Sequence, residues 1–378
     1  MTDRPLRLAT IIVLLIAGAF AGAQLGKIAP LMGWYQDTLG FSLVLSGWLT
    51  AAIGLFVALA ALPAGWAIDR IGMRRTVFVG SVALVLGGLA LAWLRAPEAI
   101  LAARLVEGLG YVVLVIAIPA VLDSISPQGW RAPVLAIWSC FVPVGFAISD
   151  LAGGWLIPAA GPQTFLLVMM LGYAVSIVLA MLMLAAVPDV PKAGAAAVGK
   201  AGSGARLRAT LTLPVILVAA CFGVWVVMTV SFFTFMPTFV AGEGSGMLVS
   251  AGVIALTVPI GNFAAAAVLP GRSARFAMAV GIAGLAATAL LVFPAFDAAP
   301  WPMTLSAAAV AIVGGVTGSM LYAVLPSLVP PNGSVAIGIG VVAQAGGIGT
   351  LIGPPLAGYV IQQAGWDGFT IFIAATAV

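Results

Sequence analysis

The stretch 65–75, which reads GWAIDRIGMRR, decides the fold of this chain. The whole sequence has 15 basic and 11 acidic residues, and four of these charges fall within seven positions: Asp69, Arg70, Arg74 and Arg75. Long apolar runs, 44–68 and 76–94, lie on either side of the stretch. Because such a group of charges is excluded from lipid, we predict a tight hairpin in water that joins two membrane helices.

The composition extends this prediction to the whole chain. Of the 378 residues, 63% are hydrophobic and 7% are charged, and the mean hydropathy of +1.22 excludes an ordinary soluble domain. A membrane span needs about 20 apolar residues, and eleven runs are long enough: 8–33, 44–67, 74–95, 98–121, 133–158, 163–187, 211–238, 246–269, 274–294, 301–325 and 333–361.

A twelfth run begins near Asp367 and stops at Val378. Its dozen residues rise only about 18 Å, which is short of a hydrocarbon core of about 30 Å. We therefore expect an all-α integral membrane protein with twelve helices. The last helix is expected to be incomplete, or the chain to have been trimmed.

The charges of the loops predict how the chain lies in the membrane. With the N-terminus inside, every basic residue of the loops except Arg95 falls on the cytoplasmic side, while the outer loops carry acids. This asymmetry follows the positive-inside rule, so the net charge of +4 does not indicate a nucleic-acid partner. We expect a multi-pass protein of a bacterial inner membrane with a cytoplasmic N-terminus.

The first helix also has the pattern of a secretory leader. Arg4 and Arg7 precede an apolar run, and Ala21-Gly22-Ala23 has the small residues of a cleavage site. The apolar sequence continues past Ala23, and cleavage would disturb the topology. A membrane helix is therefore favoured over a leader.

Several classes of function are excluded by residues that the chain lacks. It has no histidine, and Cys140 and Cys221 stand apart within two spans, so neither a metal site, a disulfide framework nor a Ser-His enzyme is expected. The sequence contains no G-x-x-x-x-G-K-[ST] run for binding a nucleotide. We expect neither an enzyme nor a cofactor. A structural or receptor role would leave the charges inside the spans without a purpose.

A basic, glycine-rich segment divides the chain into two parts. Residues 188–210 interrupt the apolar pattern and predict a flexible cytoplasmic linker. We expect a bundle of six helices over 1–187 and a second helix bundle over 211–378. Leu151-Ala152-Gly153 matches Leu356-Ala357-Gly358 at an offset of about 200 residues, which indicates an internal repeat.

The pattern G-x-x-x-D-R-x-G-x-R-R of the stretch 65–75 resembles the loop signature of the major facilitator superfamily. The run that begins at Arg104 and continues to Gly110 resembles a second signature of this superfamily, R-x-x-x-G-x-G. The resemblance covers essentially the whole chain. It implies two bundles of six helices that rock about a central site in alternating access, as secondary transporters do.

The resemblance also implies gating residues in the loop. These are Gly65, Asp69, Arg70, Gly72, Arg74 and Arg75. Asp69 would cap the start of span eleven, whose N-terminus is a positive pole. For the three arginines, a role in topology and lipid contact is an equal alternative. The antiporter signature of span five is only half present, because Ser149-Asp150 stands where Gly-Pro is expected.

Four charges fall inside the predicted spans: Lys27, Arg104, Glu107 and Asp150. A charge at the centre of a membrane costs about 2.5–3.5 kcal/mol on the insertion scale, so these side chains need partners. At about 1.5 Å per residue, all four lie at a similar height in the outer half of the membrane. We therefore expect two cations and two acids to form a neutral set.

This set has two interpretations. It is either a structural network of salt bridges, or a site where Lys27 or Arg104 binds an anion while Glu107 or Asp150 carries the coupling proton. The candidate substrate-binding residues are Gln24, Lys27, Arg104, Tyr111, Trp225, Tyr322 and Gln344. On span five, one face carries Ser139, Pro143, Phe146 and Asp150.

The sequence thus predicts proton-coupled uptake of a small anionic solute. The overall pattern is similar to the cyanate and nitroimidazole transporter branch of the superfamily. The alternative is proton-coupled efflux of drugs or amphipathic compounds, which the aromatic second half favours. The expected partners are the solute, protons and membrane lipids. Glycines 18, 22 and 26 favour packing within a monomer over a dimer face.

Overall fold

The structure is a computed structural model that describes residues 3–71, 73–127, 130–187, 203–243, 246–268, 272–296, 299–333 and 335–377. Within these ranges the chain forms helices and short connections, and they contain no strand. Helices are the expected solution, because a backbone in lipid must satisfy its N–H and C=O groups within each segment. The predicted all-α class is confirmed.

The first half of the molecule, defined as residues 3–187, is built from long apolar helices and short breaks between them. Its described helices are α1 (Asp3–Gly26), α2 (Met32–Leu39), α3 (Leu43–Ile71), α4 (Met73–Leu91), α5 (Pro97–Ile125), α6 (Arg131–Trp138) and α7 (Phe141–Ala186). A short 3₁₀ turn at Ala29–Leu31 separates α1 from α2.

The second half, defined as residues 203–377, has the same character. Its described helices are α8 (Ser203–Thr210), α9 (Leu213–Ala241), α10 (Ala251–Ala255), α11 (Val258–Val268), α12 (Ala274–Phe296), α13 (Pro300–Ala323), α14 (Leu325–Leu328) and α15 (Val335–Ala377). Helix α8 occupies the end of the predicted linker, and residues 188–202 of that linker lie outside the described residues.

Helix α7 reverses direction at Gly161. Gly145 and Gly172, which flank this point, both lie against residues 20–23 of α1, although a straight helix would hold them about 40 Å apart. Gly161 has φ 82° and ψ 165°, a conformation that residues with a Cβ rarely adopt. The segment therefore forms two antiparallel membrane helices, 141–160 and 162–186.

Helix α15 reverses in the same way at Gly365, which has φ 65° and ψ −162°. Gly353 lies against Val227 of α9, and Ile373 lines a cavity with Met228, the next residue of α9. A straight helix would place these two positions of α15 about 30 Å apart. The last segment, 366–377, is thus a separate short helix.

The described residues contain ten helices that are long and apolar enough to cross a membrane. Because α7 and α15 each fold back once, these helices supply twelve segments, as predicted. The first of these membrane segments extends to Leu39, whereas the sequence predicted that it would end at residue 33. Span five is broken at Ser139 and Cys140, because Pro143 has no N–H to bond the carbonyl of Ser139.

We call the end of the molecule that carries Gly161 and Gly365 the Gly161 face. The connections from α2 to α3, from α4 to α5 and from α9 to α10 lie at this same end, since each follows a segment that runs towards it. The opposite end, which carries the linker, we call the linker end.

The two halves pack closely where α3 of the first half meets α15 of the second. Gly47 lies against the backbone of Pro354, and Gly54 lies against Thr350. Small residues at these points let the helix backbones approach each other without a side chain between them. This contact, which we call the glycine seam, joins the halves from the Gly161 face towards the centre of the molecule.

Candidate functional site

Three of the predicted charges meet inside the first half. Lys27, Arg104 and Glu107 are all fully buried, with side-chain exposures of 0%. Lys27 Nζ lies 2.5 Å from Glu107 Oε1, and Arg104 Nη1 lies 2.7 Å from Glu107 Oε2. Each carboxylate oxygen therefore faces one cation. The group, which we call the charge cluster, carries a net charge of +1.

Local structure puts these side chains in place. Arg104 and Glu107 are three residues apart on α5, so they lie on the same side of the helix. Lys27 directly follows the last residue of α1, where Pro30 lacks the N–H that would continue the α-helical ladder. Its own N–H donates to the carbonyl of Ala23 at 2.9 Å. The end of α1 thus carries the ammonium group to α5.

Neighbouring helices supply the remaining hydrogen bonds of the cluster. Arg104 donates through Nε to the carbonyl of Leu49 at 2.7 Å and through Nη1 to the carbonyl of Gln24 at 2.7 Å. Lys27 Nζ donates to Gln24 Oε1 at 2.9 Å, and Gln24 Nε2 donates to the carbonyl of Met169 at 3.3 Å. These bonds tie α1, α3, α5 and α7 together. They offset the large cost of burying charges.

One donor of the cluster is left over. Arg104 Nη2 is buried and has no hydrogen-bond partner within the described part of the chain. The hydroxyl of Tyr35, on α2, is also buried and has no hydrogen-bond partner among the described residues. The carbonyl partners Leu49 and Met169 were not predicted, because backbone acceptors leave no signal in a sequence. Tyr35 was not predicted either.

The fourth charge does not join the cluster, so the predicted neutral set of four is wrong. Asp150 lies on α7, and its Oδ2 accepts a hydrogen bond from the backbone N–H of Gly252 at 2.6 Å. Gly252 belongs to α10 in the second half. The prediction failed because equal height along the membrane normal does not fix the direction in which a side chain leaves its helix.

The face of span five that carries Asp150 meets the second half at further points. Ser139 Oγ accepts a hydrogen bond from Asn262 Nδ2 at 3.0 Å, and the rings of Phe146 and Phe233 lie 6.0 Å apart. We call these contacts the polar seam. Asn262 and Gly252 were missed as partners, although the shared face on span five was the signal for an interface.

The other predicted binding residues lie apart from the charge cluster. Tyr111 is buried one turn below Glu107, and its ring lies 6.4 Å from that of Phe141. Trp225 and Tyr322 both pack on Phe222 in the second half, at ring distances of 5.0 and 5.8 Å.

Gln344 lies half-buried on α15. A narrow cavity in the second half is lined mainly by apolar and aromatic side chains, with two threonines: Trp225, Met228, Thr229, Phe232, Phe233, Thr288, Val310, Ala311, Gly314 and Ile373.

The described residues contain no group of three His, Cys, Asp or Glu side chains that could hold a metal ion.

The predicted gating residues are described only in part. Gly72 lies outside the described residues, and so do the side chains of Asp69 and Arg70, whose backbone belongs to α3; Gly65 is also in α3. Arg74 Nη2 donates to the carbonyl of Leu184 at 2.8 Å and so ties the start of α4 to the end of α7. Arg75 is exposed.

Twelve apolar segments in two halves, with charges buried inside the first half, are the architecture of a multi-pass membrane protein. The profile of the Major Facilitator Superfamily matches residues 14–345. The chain therefore belongs to this family.

Several curated transporters are similar in sequence. The hexuronate transporter of Bacillus subtilis is 26% identical over 95% of this chain and 89% of its own length. The arabinose-proton symporter of Escherichia coli is 25% identical over 36% of this chain, and the match spans only 29% of that relative's length. The methylenomycin A resistance protein of Streptomyces coelicolor is 26% identical over 35% of this chain and 28% of its own length.

Two solved structures share the fold. One is a bacterial homolog of the human lysosomal transporter Spinster in an inward-facing and unoccupied conformation, with a TM-score of 0.73 and 17% identity over 99% of this chain and 94% of that one. The other is a POT family transporter in complex with a thioalcohol-conjugated peptide, with a TM-score of 0.75, 14% identity and the same coverage. At these identities the likeness concerns the fold alone.

Proposed function

We propose that this transporter takes up a small organic anion together with protons. The observation that carries the proposal is the charge cluster, whose net charge of +1 is buried inside the membrane-spanning part of the first half. An excess positive charge in a membrane is expensive, and a bound anion offsets it. The similarity to a hexuronate transporter along most of the chain also supports an anionic solute, since a hexuronate carries a carboxylate.

Glu107 is the proposed coupling carboxylate. When it is ionised, it pairs with Lys27 and Arg104. When it takes up a proton, both cations lose their counter-ion and the cluster rises to a net charge of +2. An anion is then held more strongly, and the free Nη2 of Arg104 is an available donor. Proton binding and anion binding therefore favour each other, as symport requires.

The remaining roles complete the transport cycle. Asp150 is a second candidate proton carrier, while Gln24, Tyr111, Trp225, Tyr322 and Gln344 line the proposed solute path. The loop at 65–75 acts as a latch at the linker end. We infer a monomer in a bacterial inner membrane, in contact with lipids, with the N-terminus in the cytoplasm and the Gly161 face outside.

A second candidate function is efflux of amphipathic compounds. It is favoured by the largely apolar and aromatic lining of the cavity in the second half, which includes Trp225, Phe232 and Phe233. The partial similarity to the methylenomycin A resistance protein points the same way.

Uptake into proteoliposomes tests the proposal. Galacturonate and galactose form a matched pair, because they differ in a carboxylate against a hydroxymethyl group. We expect galacturonate to enter faster when the outside is acidic, and Lys27→Met to abolish this. Arg95→Gln, at an exposed arginine of the Gly161 face, is the control and should transport normally. Equal uptake rates for galacturonate and galactose would contradict the proposal that the solute is an anion. Export of a cationic dye would favour the efflux function.

A further inference from the structure

Asp150 connects the two halves at the Gly161 face. Its carboxylate accepts from the backbone N–H of Gly252 across the interface at 2.6 Å. A recess of about 250 Å³ lies beside it and is lined by residues of both halves, including Leu151, Pro237 and Ser250. The bond thus stands at the border of a space that enters the interface from this face.

No cation among the described residues pairs with Asp150, because Lys27, at the end of the neighbouring α1, pairs with Glu107 instead. No Lys, Arg or Glu occurs in α7, α9, α10, α11 or α13, and Asp150 is their only acid. The described residues form two salt bridges, both within the charge cluster. An ionised carboxylate at such a place is costly unless it is hydrogen-bonded. The N–H of Gly252 meets that need only while the halves are together.

The backbones of α7 and α10 approach closely at this point. A side chain added at Gly252 would meet Asp150 Oδ2 at 3.0 Å, the Leu151 side chain at 2.9 Å and the carbonyl of Ala147 at 3.1 Å. The Ser139–Asn262 bond of the polar seam lies just before the start of α7, about 16 Å closer to the linker end by the helical rise over eleven residues. The bond between Asp150 and Gly252 is therefore the one of the two polar contacts that lies nearer to the Gly161 face.

Other contacts between the halves at this face include a weak polar contact and close backbone packing. Thr238 Oγ1 lies 3.5 Å from the sulfur of Met32, and the backbone of Leu43 lies against Gly358 in the glycine seam. A hydrogen bond to an ionised group is roughly twice as strong as a neutral one. Of the two polar contacts, the Asp150 bond is therefore the stronger.

We propose that Asp150 is a positioning residue for alternating access: its bond to Gly252 holds the Gly161 face closed and breaks when that face opens. The bond requires no solute and no particular coupling ion. The proposal therefore stands whether or not the chain transports anions or protons.

Distances between spin labels test this in the purified, full-length protein. Cys140 and Cys221 are replaced by Ala, and labels are placed on exposed positions of the two halves. Glu98→Cys with Leu248→Cys reports on the Gly161 face, and Phe78→Cys with Leu213→Cys reports on the linker end. Pulsed electron paramagnetic resonance gives the distribution of distances for each pair.

We expect Asp150→Ala to raise the ratio of long to short distances at the Gly161 face about tenfold, as the loss of a hydrogen bond to a charged group implies. The linker-end pair should shift to shorter distances at the same time. Asp150→Asn keeps the shape of the side chain and loses its charge, so it should shift the ratio of distances less than Asp150→Ala. It is the variant that tests the proposal if Asp150→Ala does not fold. Glu243→Gln, which removes an exposed carboxylate of the second half at the same face, is the control and should leave the distances unchanged. Unchanged distances in both Asp150 variants would overturn the proposal.

Discussion

Glu107 determines the charge balance of the first half. Each of its oxygens bonds one cation, so the pairs formed with Lys27 and Arg104 depend on the same carboxylate. Removing Lys27 leaves a neutral pair, whereas removing the charge of Glu107 leaves two cations in a buried site. The three side chains are therefore unequal, although all have the same burial.

We predict that Glu107→Gln destabilises the protein more than Lys27→Met does. Breaking a buried ion pair by removing one partner costs about 3–5 kcal/mol, because the other charge stays buried without compensation. The double variant Lys27→Met with Glu107→Gln returns the net charge to +1 and should recover part of the loss. Thermal unfolding of the detergent-solubilised protein measures the order of the three variants.

Glu98→Gln is the matched control for this series. Glu98 lies on the same helix, α5, but its side chain is exposed at the Gly161 face. Its loss should change the unfolding midpoint little, since exposed charges contribute at most about 1 kcal/mol. If Lys27→Met lowered the unfolding midpoint as much as Glu107→Gln does, the stability of the charge cluster would not depend on its net charge.

At the scale of the helices, close packing of α1 on α7 supports the charge cluster. A Cβ at Gly145 would fall on the backbone of Gly22 and Ala23. Gln24 follows directly on α1, and Lys27 comes just after its last residue. Backbone cannot move aside as the end of a side chain can. The contact therefore fixes how far α1 stands from α7, and so where Lys27 meets Glu107.

Alanine substitutions on α7 test this packing. We predict that Gly145→Ala destabilises the protein by about 1–3 kcal/mol, the usual cost of overpacking. Gly154→Ala, on the same helix, has no heavy atom within 4 Å of the added Cβ. It should be neutral or stabilising by up to about 1 kcal/mol, because alanine restricts the unfolded chain more than glycine does. Equal unfolding midpoints for the two variants would show that α1 and α7 are not in tight contact.

The elements were more predictable than their contacts. Apolar length sets the number of segments, because lipid thickness fixes the length of a span. The height of Lys27 relative to Glu107 follows from the helical rise, and their pairing was predicted as one interpretation. The bond from Asp150 to Gly252 was not predicted, since it depends on how α7 turns about its axis and on a backbone donor. The break before Pro143 was readable from the missing N–H, but it was overlooked.

At the scale of the whole molecule, two seams of different chemistry join the halves. The glycine seam between α3 and α15 brings backbones together through small residues, such as Gly54 against Thr350. The polar seam between span five and α10–α11 uses hydrogen bonds that Asp150 and Ser139 accept from Gly252 and Asn262. Small residues tolerate sliding, while directed hydrogen bonds are either made or broken. We infer that rocking of one half on the other would slide at the glycine seam and would make or break defined bonds at the polar seam.

A cross-link across the glycine seam tests whether the halves must move there. The Cβ of Thr350 lies 2.9 Å from the place that a Cβ would take at Gly54, and a disulfide holds two Cβ atoms about 3.8 Å apart. Gly54→Cys with Thr350→Cys, in a chain whose native cysteines are replaced by Ala, should therefore close on oxidation with a small local shift. We predict that oxidation abolishes transport in proteoliposomes and that a reductant restores it, while each single variant is unaffected by oxidant. Full transport by the oxidised double variant would mean that the glycine seam stays closed throughout the cycle, and that only the polar seam opens.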